Sequence, residues 1–357
     1  MSGSKTLLTR AECTALKGIA IIGIILHNFF HVMPGYAREN EYRFLISNVE
    51  KFAGILERHS LHLPLQIISY GGFMTLGIFL MLTGYGLVVK YENRPEPLRR
   101  ARFVWEHYVK LLRLMFVPLV MVTFVAYFHP MRPLGPITGT LELLMLSNVL
   151  NTDYFPGPFW YFSMIFQAYV LYALVIYRKT ERGRTWSSVL LVVMTLVFTL
   201  LQWLFEPESP NLEWYRLNVV AYLPAFTLGV LLGRYANRPW LGRTGGAVMA
   251  VVCTLALWPM SRSYGWWMWI YVPAALAGIG WIKALPWLGA RPMQWIGRLS
   301  SYLFANHATS RQLFWDLAIK HPVTWLIPYL VVAVLLSMAH RWADQRNWFI
   351  TSAFTRK

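Results

Sequence analysis

Long apolar runs recur along the chain, separated by short polar segments. A helix needs roughly 20 predominantly apolar residues to cross about 30 Å of hydrocarbon. The pattern predicts ten such spans, at residues 14–33, 65–89, 111–129, 158–177, 187–205, 218–234, 246–261, 266–285, 294–312 and 322–340. We therefore expect an all-α fold, a polytopic integral membrane helical bundle that forms a single domain over residues 1–357.

Two segments between the spans have a different pattern. Residues 38–63 place apolar side chains on one side of a helix and Arg43, Glu50 and Glu57 on the other, which predicts an amphipathic helix outside the membrane. Residues 136–151 are too short to cross and predict an interfacial or re-entrant helix. We find no convincing internal repeat, which argues against a transporter built from inverted repeats.

Composition and charge agree with this architecture. Hydrophobic residues make up 56% of the chain and charged residues only 14%, whereas soluble domains have about 25% charged residues. If the amino terminus is cytoplasmic, 24 of the 33 Lys and Arg residues fall on the cytoplasmic side. Both termini are then expected in the cytoplasm. Topology explains the net charge of +17, so we expect no nucleic-acid partner.

The first span, LKGIAIIGIILHNFFH, contains three basic side chains. His27 lies ten residues after Lys17, about 15 Å deeper and near mid-membrane, and His31 lies one turn further out on the same face. Ionisable groups at this depth usually face a cavity and indicate function. Alternatively, Lys17 anchors the interface and His27 is a hydrogen-bonded core residue. We predict no metal site, because no carboxylate or cysteine partner is evident in the spans.

A basic cluster occupies the predicted cytoplasmic loop 90–113. It lies where the third span begins and consists of Arg99, Arg100, Arg102, Lys110 and Arg113. Such a cluster favours a phosphate site; the alternative is ordinary cytoplasmic charge that attracts anionic lipid. The phosphates of coenzyme A would fit this cluster, and its pantetheine arm would bring a thioester towards His27. A histidine can take a proton from an acceptor hydroxyl near neutral pH.

Five stretches of the chain resemble the acyltransferase family 3 membrane proteins, which transfer acyl groups, often acetyl, to bacterial surface and envelope glycans. They follow the family's order and are LKGIAIIGIILH with Lys17 and His27, GIFLMLTGYGLVVKY with Thr83 and Tyr85, the basic run through Lys110 and Arg113, PFWYFSMIFQAYVLYAL with Trp160, Ser163 and Gln167, and IGRLSSYLFANH with Tyr302 and His307. Two departures stand out. The Lys17 to His27 spacing is one residue shorter than is common, and Phe166 replaces a frequent Glu.

The resemblance implies an O-acyltransferase of the bacterial cytoplasmic (inner) membrane. It would move an acyl group, expected to be acetyl, from cytoplasmic acetyl-CoA to a hydroxyl of an extracytoplasmic glycan or glycolipid. The expected catalytic residues are His27 as general base, with Asn306, Tyr85 and Gln167 stabilising the oxyanion or the acceptor. The expected donor-binding residues are Lys17, Arg102, Lys110 and Arg113, and the expected acceptor-binding residues are His31, Trp160, Ser163 and His307.

Two alternatives stay open at this point. Direct transfer and a route through a covalent acyl-histidine fit the same residues. The other class of protein compatible with the pattern is a transporter or flippase for a lipid-linked or phosphorylated glycan, in which the basic residues would hold a phosphate head group.

Overall fold

The computed structural model describes residues 6–58, 62–128, 135–150, 158–236 and 241–346. The fold is 80% helical, without strands in these ranges, which confirms the predicted all-α polytopic architecture. The α-helices of the described residues are α1 (Arg10–Phe30), α2 (Ile46–Glu57), α3 (Leu63–Gly71), α4 (Leu76–Leu87), α5 (Arg100–Ala126), α6 (Pro136–Leu143), α7 (Phe159–Leu171), α8 (Glu181–Leu201), α9 (Pro210–Arg216), α10 (Leu223–Tyr235), α11 (Arg243–Ser261), α12 (Tyr264–Trp267), α13 (Tyr271–Ala284), α14 (Arg291–Leu313), α15 (Trp315–Ala318) and α16 (Pro322–Gln345).

Seven helical segments of the described residues are long and apolar enough to cross a membrane, and an eighth, α9 with α10, is bent by 72°. Helix covers parts of all ten predicted spans, but α13 has only 14 residues. α14 has 23 residues but is too polar to count, because it buries polar side chains inside the bundle. The number ten therefore stays a prediction. So does the side of the membrane on which the termini lie, since both termini fall outside the described residues.

Three predicted segments have different bounds in the structure. Only Ile46–Glu57 of the predicted amphipathic segment forms α2, because the residues just before it run irregularly over α1. α5 begins at Arg100, so the predicted loop 90–113 is largely helical and extends the third span inwards. The predicted interfacial segment contains only the eight-residue α6, which begins at Pro136.

α1 and α14 cross with their backbones in close contact. A Cβ atom at Gly297 would overlap the Thr14 carbonyl, and one at Gly18 would overlap the Met293 carbonyl. Small residues at helix crossings allow this approach in membrane proteins, where packing replaces the hydrophobic effect as the main source of helix association. As a result, the polar side chains of these two helices lie beside each other along the bundle interior.

A buried ion pair joins three further helical segments at the end of α4. A π-helical turn, Val88–Glu92, places the Glu92 carboxylate opposite Arg234 of α10, whose Nη2 and Nε donate to it at 2.7 Å and 3.0 Å. Arg234 also donates to Ser187 and Ser188 of α8. Because the guanidinium meets the carboxylate through two hydrogen bonds, this charge pair is well satisfied despite its burial.

The crossing of α1 and α14 yields a stability prediction. Replacing Gly297 by Ala should lower the thermal unfolding temperature of the purified protein in detergent, with a loss of about 1–3 kcal/mol typical of overpacking. The matched control is Gly289→Ala, because a Cβ there meets open space. Equal stability of the two variants would show that the crossing tolerates a wider separation than the structure has.

Candidate active site

A cavity of about 340 Å³, the outer cavity, lies beside the far half of α1. Its walls come from α1, the irregular segment that follows it, the start of α4, α7 and α14. Its polar and aromatic lining residues are His27, Asn28, His31, Glu39, Glu41, Tyr42, Arg43, Phe73, Trp160, Glu213, Phe304 and Arg311. The cavity therefore combines ionisable groups with an aromatic wall, and two of the predicted acceptor-binding residues, His31 and Trp160, lie in it.

His27 is held in a defined orientation at the base of this cavity. Its Nδ1 lies 2.9 Å from the Ser69 carbonyl oxygen, and only 1% of the residue is exposed. A carbonyl oxygen can only accept, so Nδ1 carries the proton in this hydrogen bond and Nε2 keeps a free lone pair. Nε2 has no hydrogen-bond partner among the described residues. His27 is thus a neutral imidazole with its basic nitrogen available.

His31 has a carboxylate partner that the sequence pattern did not reveal. Its Nδ1 lies 2.6 Å from Glu39, and its ring stacks on that of His27 with 4.6 Å between the centroids. Glu39 lies outside the spans; burial acts to raise its pKa, but the neighbouring His31 lowers the pKa to about 2. Glu39 is therefore an ionised acceptor that orients His31. Glu39 belongs to residues 38–63, which the pattern predicted as an amphipathic helix outside the membrane. The pattern therefore did not predict its contact with His31.

These three side chains also have the composition of a metal site. The potential ligand atoms of His27, His31 and Glu39 lie within 4.8 Å of one another in the described part of the chain. Catalytic zinc sites usually have three protein ligands, but here Glu39 is hydrogen-bonded to His31. The Nε2 atoms of His27 and His31 then remain to face the cavity, because both Nδ1 atoms have partners. This arrangement suits proton transfer better than metal binding. The absence of a metal stays a prediction.

The rest of the outer cavity has features of a binding site for a polar ligand. Trp160 meets Tyr42 edge to face at 5.3 Å between the centroids. Arg43 forms an ion pair with Glu213 of α9. Burial, together with the nearby Glu39 carboxylate, raises the pKa of Glu41 to about 8, so this carboxyl is mainly protonated near neutral pH. A protonated carboxyl both donates and accepts hydrogen bonds.

A second cavity of about 290 Å³, the inner cavity, lies beside the near half of α1. Lys17 of α1, Lys110 of α5 and Lys90 of the π-helical turn converge on it. Lys90 was not predicted as a site residue, because a lysine at the cytoplasmic end of a span is ordinary. Phe304 of α14 lines both cavities and packs on Tyr161 at 4.7 Å between the rings. One aromatic side chain therefore borders both cavities.

The two predicted arginine anchors lie outside the inner cavity. Arg102 is exposed and forms an ion pair with Glu106 at 2.7 Å on the same helix. Arg113 lines a smaller neighbouring cavity with Lys110, but its guanidinium is ion-paired with Asp344 of α16. Of the four predicted donor-binding residues, the structure brings Lys17 and Lys110 together.

The three predicted oxyanion groups line neither cavity in the described part of the chain. The Tyr85 hydroxyl lies 3.3 Å from both the backbone nitrogen and the carbonyl oxygen of Leu8. Gln167 donates to Asn218 at 2.8 Å and accepts from the Val219 N–H at 3.0 Å. Their polar groups thus hold neighbouring chain segments.

The third oxyanion group, Asn306, and the predicted acceptor-binding residues Ser163 and His307 also have local partners. Asn306 donates to the Tyr302 carbonyl at 2.8 Å and contacts His340 of α16 at 3.1 Å. Ser163 lies 3.3 Å from Ser147, and His307 lies 2.7 Å from the Phe304 carbonyl. Ser163 and His307 also line neither cavity. Their roles as site residues stay predictions that the geometry does not favour.

The fold and the site define a polytopic membrane protein in which a buried histidine lines one of two cavities beside α1. Compared with known families, the chain matches acyltransferase family 3, described as an acyltransferase domain, over residues 11–342, and it belongs to this family. It is therefore a membrane acyltransferase, which requires an acyl donor and an acceptor. Comparisons with curated proteins and with solved structures gave no match.

Proposed function

We propose that the protein transfers an acyl group, specifically acetyl, from cytoplasmic acetyl-CoA to a hydroxyl of an extracytoplasmic glycan or glycolipid. The observation that carries this proposal is the orientation of His27, whose Nδ1 is bound to the Ser69 carbonyl while Nε2 remains unpartnered beside the outer cavity. A fixed neutral imidazole is what a general base requires.

The inner cavity supports a phosphate-bearing donor. Lys17, Lys90 and Lys110 come from three different segments and meet without a carboxylate lining the same cavity in the described ranges. Lysine ammonium groups bind phosphate as point charges. The phosphates of coenzyme A would lie here, and the thin pantetheine arm would pass Phe304 to bring the thioester near His27, about 15 Å further along α1.

The chemistry then follows from the orientation of His27. Its Nε2 takes the proton of the acceptor hydroxyl while the hydroxyl oxygen bonds to the thioester carbon. The carbon–sulfur bond breaks, and the proton passes from Nε2 to the departing thiolate. The Ser69 carbonyl stabilises the transient imidazolium by accepting from Nδ1–H throughout.

The outer cavity supports a sugar-like acceptor. It offers the Trp160 and Tyr42 rings as flat apolar surface, with the His31–Glu39 pair and Glu41 as hydrogen-bonding groups. Its size, about 340 Å³, is within the range of small-ligand pockets. The asymmetric distribution of Lys and Arg supports an inner-membrane protein whose outer cavity opens away from the cytoplasm.

The first functional prediction concerns His27. Replacing it by Gln should reduce the release of free thiol from acetyl-CoA by the purified protein about 10²–10⁴-fold, because the base is lost while the shape is largely kept. The matched control is His321→Gln, which alters an exposed histidine at the start of α16. Turnover of His27→Gln equal to that of the control would remove His27 from the mechanism.

The second functional prediction concerns the donor. Replacing Lys90 or Lys110 by Gln should raise the KM for acetyl-CoA, because a phosphate contact is lost. In competition assays, the inhibition constants of coenzyme A and its dephospho form should differ less for these variants than for the unaltered protein. Arg102→Gln is the matched control, since Arg102 is exposed and paired with Glu106. Unchanged KM values in both lysine variants, with an increase in the arginine variant, would place the phosphates at the cytoplasmic surface instead.

A further inference from the structure

In the proposed transfer, no group has yet been assigned to stabilise the negative charge that develops on the thioester carbonyl oxygen. When the acceptor oxygen attacks the thioester, negative charge develops on the carbonyl oxygen, and acyl-transfer enzymes usually stabilise it with preorganised donors. The three side chains predicted for this task, Tyr85, Gln167 and Asn306, line neither cavity in the described part of the chain. A different donor is needed beside His27.

Arg311 of α14 lines the outer cavity and has one donor without a hydrogen-bond partner among the described residues. The residue is only 8% exposed, and its Nη1 donates to the Asn28 carbonyl, adjacent in sequence to His27. Its buried Nε has no hydrogen-bond partner among the described residues. Burying a guanidinium N–H without an acceptor costs free energy. The free N–H of Arg311 therefore indicates that a ligand oxygen accepts its hydrogen bond.

The other charged groups of this cavity are already paired. Arg43 is bound to Glu213, and Glu39 is bound to His31. Arg311 has no salt bridge to any residue in the ranges that the structure describes. Among the cations that line the outer cavity there, it is therefore the one whose charge is available to a ligand.

The position of Arg311 also fits the path of the donor. Phe304, which borders both cavities, lies seven residues earlier on α14, about 10 Å along the helix axis. The hydrogen bond to Asn28 holds the guanidinium beside α1 at the level of the two histidines. A thioester that enters past Phe304 and reaches His27 would thus lie between the base and this cation.

We propose that Arg311 is a further catalytic residue, which binds the carbonyl oxygen of the acyl donor and stabilises the negative charge that develops there. This inference rests on the proposed acyl transfer. Arg311 gives up no proton: the carbonyl π electrons move onto oxygen as the new carbon–oxygen bond forms and return as the carbon–sulfur bond breaks. His27 handles the hydroxyl proton, as described above.

The test compares Arg311→Gln with Arg298→Gln, which alters an exposed arginine of the same helix α14 that lines neither cavity. The measurement is thiol release from acetyl-CoA by the purified protein, with water as acceptor. We expect kcat to fall about 10²–10³-fold in Arg311→Gln, with a nearly unchanged KM for acetyl-CoA, because the contact strengthens only in the transition state. Arg298→Gln should leave kcat nearly unchanged.

A second measurement distinguishes loss of the guanidinium group from misfolding of the variant. Added guanidinium ion should restore part of kcat to Arg311→Ala, whereas ammonium should not, because only a planar fork of donors replaces the lost group. Two results for Arg311→Gln would contradict the role of Arg311: a raised KM with unchanged kcat, or turnover equal to that of Arg298→Gln. The proposed function would still stand in either case if His27→Gln is inactive. If the unaltered protein releases no thiol from acetyl-CoA, with water or with an added glycan as acceptor, the inference and the proposed function both fail.

Discussion

The crossing of α1 and α14 is the contact on which the candidate site depends. Because Gly18 and Gly297 bring the two backbones together, polar residues of both helices lie beside each other in the interior of the bundle. α1 supplies Lys17 to the inner cavity and His27 to the outer one, while α14 supplies Phe304 to both and Arg311 to the outer one. A wider crossing would separate the base from the cation proposed to act with it.

Burial of a polar group inside an apolar bundle is costly unless the group finds a partner. The Glu92–Arg234 pair and the Ser69 carbonyl, which orients His27, provide such partners. Among the described residues that line the outer cavity, two buried polar atoms lack a hydrogen-bond partner: His27 Nε2 and Arg311 Nε. Both belong to groups that acyl transfer would use.

Sequence patterns predicted the helical architecture, the position of His27 and the placement of Lys17 and Trp160 beside cavities, because apolar length and buried charge are visible in a single chain. They did not predict the Ser69 carbonyl, which has no side-chain signature, or the Glu39 and Arg311 contacts, which depend on long-range packing. Spacing along a helix does not reveal which neighbour a side chain faces, and the predicted oxyanion groups Tyr85, Gln167 and Asn306 line neither cavity in the described part of the chain.

Sidedness is the most direct test of the account, because it requires the donor and acceptor to use opposite ends of one path. The measurement uses sealed proteoliposomes of defined orientation, with acetyl-labelled coenzyme A supplied only at the cytoplasmic face. We predict that free thiol appears on that face while the label appears on the opposite side, as acetate or as an ester of an added glycan. Thiol and label on the same side would contradict transfer between the two cavities.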